Sequence, residues 1–424
     1  MRQTKFKCLD LPLPVIFFTL LLNALGFGIL IPIIPLLLAD PGSQYFMLPP
    51  SFTLGQGYII FGLLVAIYPV MQFIATPVLG QLSDKFGRKK ILAISLAGTF
   101  ISYILFAVGI LLKNIPLLFI SRAFDGITGG NISVAQAVVA DVTTPQNRAR
   151  AFGLTGAAFG IGFIVGPFLG GILSASNLVS WFNAATPFWF AALLDLINFL
   201  LVVVCLTETF KLKKDKKIIW GQSIKNIVSA FNIRELKTLF ITVFLFQSGF
   251  TFFTTFFSVF LITKFGFTQT NTGNFFAYMG LWLVFTQGFL TRIISKKFSE
   301  VKVLRITLIA TGVFILAYLL PGAWWGLLIV APFFAFANGL SQANITGLIS
   351  RSVGPERQGE ILGINASVAA MAQAIPAILS GFIAAGLTPS SPTIVAAGVI
   401  ILGGIIFLLA YRKPAIEKVF DRIE

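Results

Sequence analysis

The chain has 424 residues, of which 57% are hydrophobic and only 11% charged. That balance excludes an ordinary water-soluble domain, which needs about twice as many charged residues to cover its core. The net charge of +16 raises the question of a nucleic-acid partner, and the absence of histidine removes Ser-His and Cys-His nucleophiles, His-ligated zinc and the imidazole proton shuttle.

Apolar runs of roughly 20 residues recur along the chain, each long enough to cross a hydrocarbon layer of ~30 Å as a helix. Twelve spans are predicted, at residues 12–38, 57–83, 91–112, 116–140, 152–175, 187–206, 237–262, 274–294, 303–320, 326–350, 361–386 and 394–411. With the amino terminus placed in the cytoplasm, all but Lys113, Arg122 and Lys264 of the 31 Lys and Arg fall on the cytoplasmic side. Residues 39–56, 177–186 and 388–392, on the other side, carry none. This is the positive-inside pattern, and it makes anionic lipid headgroups a better partner for the basic loops than nucleic acid. Residues 1–7 are basic like a signal peptide, but the apolar run that follows is too long for one, so an uncleaved first helix is expected. Cys8 and Cys205 both lie near the cytoplasmic side, which supports neither a disulfide nor a metal framework.

In chain order, the first span holds Asn23, Gly26, Gly28, Pro32 and Pro35, a composition that lets a membrane helix bend where neighbours satisfy its backbone. The second ends in Gly80-Gln-Leu-Ser-Asp84-Lys85-Phe-Gly87-Arg88-Lys89-Lys90, a carboxylate followed by a tight cationic turn. The fourth carries Arg122 and Asp125, three residues apart and therefore on one helical face. An ionisable group inside a span costs at least ~2.5–3.5 kcal/mol, so it usually faces a cavity and takes part in moving something. That points to transport. The same span ends at Asp141, followed by Arg148.

In the fifth span Gly162, Gly166 and Gly170 repeat at the spacing that lets helices approach closely. The added Pro167 and Gly171 exceed what that spacing explains. The sixth holds Asp195 and Asn198, read as hydrogen-bonding groups toward a neighbouring helix. A basic run, Lys211 to Lys217, and an amphipathic stretch through Trp220, Ile224 and Phe231 then suggest a linker lying on the inner leaflet.

The second half echoes the first. Pro355 to Gly363 repeats Pro145 to Gly153 at a shift of 210 (355 − 145). The expected domains are a six-helix bundle over 1–206, a cytoplasmic, partly amphipathic linker over 207–236 and a second bundle over 237–424, with a site between the bundles near mid-membrane. Spans seven to twelve hold only neutral interior polar groups, Gln247, Gln287, Asn338, Gln342, Asn344, Asn365 and Gln373. The seventh adds Phe240, Phe244, Phe246, Phe250, Phe252, Phe253, Phe256 and Phe257, most of them expected to face lipid or packing partners and a subset to wall an apolar pocket.

The loop after the second span resembles the major facilitator superfamily signature Gly-x-x-x-Asp-Arg-x-Gly-Arg-Arg/Lys, with Lys85 in place of the usual Arg. Gly162 to Gly171 resembles that superfamily's antiporter motif, Gly-x-x-x-Gly-Pro-x-x-Gly-Gly. The resemblance covers essentially the whole chain and implies an all-α membrane protein, with twelve transmembrane helices in two pseudo-symmetric six-helix bundles. It implies a gate built from Gly80, Asp84, Gly87, Arg88, Asp141 and Arg148, in which Asp84 meets the backbone near Gly359 to Gly363 and Asp141 pairs with Arg88. The superfamily's drug exporters carry an Arg in the fourth helix, followed three and four residues later by Gln and Gly. Here Asp125 takes the Gln position and sets a titratable carboxyl beside Arg122, making Asp125 the expected proton carrier and Asp195 the other candidate.

The first half is most similar to tetracycline-exporter-type drug:proton antiporters, through Gly126-Ile-Thr-Gly129, Phe152-Gly153 and the antiporter motif. That subgroup's intramembrane acids and histidine fall here on Asn23, Ser102, Thr311 and Phe285, so its proton and substrate residues are not reproduced. Substrate contacts are expected at Asn23, Gln72, Gln136, Gln247, Phe256, Asn338 and Gln342. The function implied is proton-coupled antiport, exporting an amphipathic small molecule or drug by alternating access. The alternative is a carrier of an anionic metabolite such as an organic acid or siderophore. No P-loop and no carboxylate pair at catalytic spacing suggest an enzyme. The expected partners are a small-molecule substrate, protons and membrane lipids, without nucleic acid, cofactor or metal. A monomer in a bacterial inner membrane, with both termini cytoplasmic, is expected.

Overall fold

A segment surrounded by hydrocarbon must satisfy each backbone N–H and C=O within itself, which leaves the helix as the only single-segment solution. The computed structural model describes residues 12–209, 219, 221–232, 236–351 and 358–412, excepting the side chains of 145–156, 230, 350–351, 358–360 and 362–363. All regular structure among the described residues is helical. The first half runs α1 (Pro12–Leu38), α2 (Leu54–Phe86), α3 (Arg88–Leu111), α4 (Ile115–Gly129), α5 (Ile132–Asp141), α6 (Pro145–Leu173) and α7 (Thr186–Cys205). A short helix, α8 (Gln222–Asn232), connects it to the second half. There follow α9 (Lys237–Phe265), α10 (Gln269–Phe285), a π-helical turn (Thr286–Leu290), α11 (Thr291–Ser295), α12 (Glu300–Ala317), α13 (Trp325–Arg351), α14 (Gln358–Gly386) and α15 (Ser391–Ala410).

Two of the twelve predicted spans are composite. The fourth breaks between α4 and α5, where the N–H groups of Gly130 and Asn131 turn back to the carbonyls of Ile127 and Thr128. The eighth is α10 and α11 joined through the π turn, a local widening that is frequent at functional positions. Eight helices among the described residues are, by length and composition alone, sufficient to cross a membrane. The side of the bundle that holds α8 and the α2–α3 turn is the linker side below, and the opposite one the far side.

Glycines set how closely the helices meet. A Cβ on Gly162, Gly166 or Gly170 would lie 2.6–2.7 Å from a backbone carbonyl or side chain of α1. One on Gly171 would lie 2.7 Å from the carbonyl of Gln269 in α10, and one on Gly273 would lie 2.5 Å from that of Pro167. Gly162, Gly166 and Gly170 seat α6 on α1, where the Pro167 ring lies against Gly28, while Gly171 seats α6 on α10 across the two halves. A second inter-half seam joins the far-side end of α2 to α14, where a Cβ on Gly62 would sit 2.7 Å from the Ala377 carbonyl.

The phenylalanines of α9 mostly point inward rather than toward lipid. Phe240, Phe246, Phe252, Phe253, Phe256 and Phe257 are at most 5% exposed. Phe253 and Phe257 pack on Tyr318, and Phe253 also on Phe334, so the second bundle has an aromatic interior. Helix α8 is not simply laid on a leaflet. Ser223 Oγ donates to the Phe73 carbonyl of α2, Gln81 exchanges two hydrogen bonds with the Ile219 backbone, and Asn226 Nδ2 donates to Ser367 of α14 at 3.1 Å. It straps the halves together on the linker side.

The turn between α2 and α3 is a single residue, Gly87, at φ 101° and ψ 144°. Only glycine adopts that conformation without strain. The turn exposes the amino end of α3, and the Glu208 carboxylate caps it, accepting from the N–H of Arg88 at 2.9 Å and of Lys89 at 3.3 Å. A negative charge here meets both open donors and the positive end of the helix dipole. A Cβ on Gly87 would sit 2.4 Å from Glu208 Oε2. Gly87→Ala should therefore destabilise the fold by ~1–3 kcal/mol, read as a lower melting temperature of the purified protein in detergent. An unchanged melting curve would contradict this account of the turn.

Candidate functional site

The interior charge of the first bundle is concentrated on α4. Arg122 is 3% and Asp125 4% exposed, and Arg122 Nη1 meets Asp125 Oδ2 at 2.5 Å. The guanidinium also lies over the Tyr68 ring of α2, 4.5 Å from its centroid, a contact worth ~0.5–2 kcal/mol when desolvated. Tyr68 can come this close because α4 presents glycine to it. A Cβ on Gly126 would be 2.5 Å from the Tyr68 carbonyl, and one on Gly129 2.5 Å from its hydroxyl. Gln72 completes the arrangement, donating to the Tyr68 hydroxyl and to the Gly129 carbonyl, each at 3.2 Å. The break in the fourth span is thus capped by a side chain from the second.

One polar atom is left over. Arg122 Nε is buried and has no hydrogen-bond partner. The residue lines a cavity of about 30 Å³ between the halves, along with Phe27 and Ile31 of α1, Phe61 of α2 and Thr254 and Thr255 of α9. That volume admits a water or two, not a drug-sized molecule, so a substrate could enter only if the halves moved apart.

The predicted substrate contacts are dispersed around this centre rather than gathered in the cavity. Asn23 Nδ2 donates to Asn131 Oδ1 at 3.0 Å, and Gln72 is engaged as above. Phe256 is fully buried, packed against Tyr58 and Phe61 where α9 meets α2. Asn338 is buried with its Oδ1 unpartnered, Gln136 and Gln247 are half-buried, and Gln342 is exposed. Thr254, Thr255, Tyr68 and Asn131 are the neighbours that the sequence reading missed. Gly129-Gly130 was the one signal that could have exposed the break, and so Asn131.

On the linker side the loop residues form one network. Arg88 is 7% exposed and binds Asp84 at 2.8 Å, Asp141 at 3.1 Å and Ser83 Oγ at 2.5 Å. Thr209 also donates to Asp141 at 3.4 Å. Gly80 lies against Ser133 of α5. Glu208, not anticipated as part of the gate, ties the carboxyl end of α7 to the same turn. The side chain of Arg148, and the expected meeting of Asp84 with Gly359 to Gly363, fall outside the described residues.

On the sixth span, Asn198 Oδ1 accepts from Thr19 of α1 at 3.2 Å, as a structural role requires. Asn198 Nδ2 and Asp195 Oδ2 are both buried without a hydrogen-bond partner, and Asp195 is 3% exposed. Among the described residues no cluster of three or more potential metal-ligating His, Cys, Asp or Glu side chains occurs.

Comparison with known proteins bears on this architecture along its full length. The sequence profile of the Major Facilitator Superfamily matches residues 16–370 and 239–423. The chain is 31% identical to the class H tetracycline resistance protein of Pasteurella multocida over 373 residues, covering 87% of this chain and 88% of the relative. It is 25% identical to the quinolone resistance protein NorA of Staphylococcus aureus, covering 95% and 97%. The crystal structure of the human organic anion transporter MFSD10 (TETRAN) superposes with a TM-score of 0.72 at 23% identity, over 93% of this chain and 98% of that one. Twelve membrane spans in two halves, a basic loop after the second and a charged pair within the fourth thus coincide with a match along nearly the whole sequence, and this chain belongs to the Major Facilitator Superfamily.

Proposed function

We propose that the protein is a proton-coupled exporter of amphipathic small molecules that works by alternating access, with Asp125 as its proton carrier. The observation that carries this reading is the buried Arg122–Asp125 pair beside a cavity between the halves. Tetracycline and quinolone resistance proteins as relatives support drug efflux. The concentration of Lys and Arg on the linker side supports a cytoplasmic placement of that side and of both termini, and a bacterial inner membrane is the setting this reading assumes. We read residues 1–206 and 237–424 as two units that rock about the linker of residues 207–236, the site lying between them.

The cycle follows from the pair. When the carrier is open to the far side, Asp125 takes up a proton and its hold on Arg122 weakens. The halves close the far side, and the site opens to the cytoplasm. An incoming substrate favours loss of the proton, and the loaded carrier returns. One charge moved across 100 mV supplies about 2.3 kcal/mol, enough for a modest gradient. The far-side seams α2–α14 and α6–α10 are closed in this structure and must part in the other state.

A second reading rests on Arg122 Nε. A guanidinium N–H without a partner, on a residue that lines the cavity between the halves, suits the carboxylate of an anionic metabolite. Inhibition of transport by simple organic acids, with no change in drug sensitivity on deletion of the protein, would favour it.

Three outcomes test the main reading. Asp125→Asn should abolish efflux driven by a pH gradient in membrane vesicles, and unchanged coupling would remove Asp125 from the cycle. Arg122→Gln, which leaves the carboxylate alone, should cost ~3–5 kcal/mol of stability, whereas Arg122→Gln with Asp125→Asn should recover much of it. Equal melting of the single and double variants would mean that the pair is not coupled. The third concerns the far side, where a Cβ on Gly55 would lie 3.6 Å from that of Ala385, within the disulfide range. In a background lacking Cys8 and Cys205, Gly55→Cys with Ala385→Cys should cross-link, stop transport and recover on reduction. Full transport by the cross-linked protein would rule out alternating opening there.

A further inference from the structure

We infer that Asp195 is a second proton-binding carboxyl of the transport cycle, coupled to Asp125 within the first bundle. The inference rests on the proton-coupled reading above and goes beyond it, since that reading uses one carboxyl.

Depth is the first observation. Asp125 lies ten residues from the far-side end of α4 and Asp195 nine from the far-side end of α7, or about 15 Å and about 14 Å at 1.5 Å per residue. Both are therefore near the middle of a ~30 Å layer, where a carboxyl is expensive to keep and is seldom retained without a role. Asp125 and Asp195 are the two acidic residues so placed.

The surroundings of Asp195 are the second. Helix α7 packs on α3 and α1, and makes a slighter contact with α6. From α3 the titratable group facing it is Tyr103, 5% exposed, whose hydroxyl presses on Gly26 of α1. From α1 the polar groups on this side are the neutral Thr19 and Asn23, and residues 157–173 of α6 contain no titratable group. The other face of α3 meets α4, which carries Asp125 and Arg122. Arg122 is already committed to Asp125 and stacked on Tyr68. Among the described residues no cation pairs with Asp195, whose Oδ2 has no hydrogen-bond partner. Burying a charge without a counter-ion is costly, and a neutral carboxyl avoids that cost.

Tyr103 is the third. It is buried and stands on the helix that both α4 and α7 pack against. Asn198, one turn away, has its Oδ1 engaged by Thr19 and carries no charge to neutralise, whereas Asp195 is a titratable group with a buried, unpartnered oxygen. Asp195 holds a proton while the far side is closed. It releases that proton when rocking of the bundles admits water or alters its distance to Asp125. The step is a proton transfer alone, from the acid to water on one side and back from water on the other.

The test measures protons per substrate and the pH profile of efflux in proteoliposomes, using tetracycline and a quinolone as probes. For Asp195→Asn, which keeps the shape and a hydrogen-bonding end, we expect fewer protons moved per molecule exported and a flattened pH profile, with Asp195→Glu retaining a displaced one. An unchanged ratio and profile in a folded Asp195→Asn protein would overturn the inference. Should that variant not fold, infrared difference spectra of the Asp125→Asn protein decide the matter. A carboxylic-acid carbonyl band that titrates supports a protonated Asp195, and its absence overturns it. Loss of pH-driven efflux in Asp125→Asn with normal behaviour of Asp195→Asn would leave the one-carboxyl cycle standing and remove only this addition. Normal coupling in both would remove the proton-coupled reading itself.

Discussion

A guanidinium and a carboxylate held away from water, one turn apart on α4, are the constraint around which the first bundle is arranged. Neither ion is tolerable there alone. Arg122 can stay because Asp125 neutralises it and the Tyr68 ring covers it. Tyr68 can cover it because Gly126 and Gly129 let α2 lie almost on the backbone of α4. The same glycines weaken the helix, and the break after Gly129 is made good by the Gln72 amide. Charge, aromatic ring, glycine and amide form one dependency, and removing the charge from Asp125 by protonation acts on all of it.

The second theme is how two halves of a carrier can be tight in one state and free in another. Interfaces built from glycine and backbone have little side-chain interdigitation to undo. Gly62 against α14 and Gly171 against α10 give close contact over the far-side ends, and among the described residues no salt bridge crosses these seams. On the linker side the connection is of a different kind, because α8 reaches both α2 and α14 through hydrogen bonds. The far side is a seam of glycine and backbone contacts, crossed by one hydrogen bond from Thr270 to the Gly171 carbonyl, and the linker side a polar strap.

Much of this was legible in the sequence, for identifiable reasons. Span number and placement follow from apolar length, which the backbone's need for internal hydrogen bonding imposes on any membrane helix. Residues three apart share a helical face, so the Arg122–Asp125 pair could be read without coordinates. What faces what could not. The α9 phenylalanines are as apolar toward lipid as toward protein, and only the structure shows most of them turned inward, Phe253 and Phe257 onto Tyr318. Glu208 and Tyr68 act on residues more than fifty positions away, and nothing local marks them. Gly171 of α6 looked superfluous to packing because the sequence does not disclose that a second helix, α10, lies against it.

The central claim is that substrate and proton compete through the pair on α4. Calorimetric titration of the purified protein with a compound it binds, repeated in buffers of different ionisation enthalpy at fixed pH, measures the protons released on binding. The account predicts an apparent binding heat that changes with buffer in the sense of proton release, and a lower affinity as the pH falls. A heat and an affinity independent of buffer and pH would contradict it.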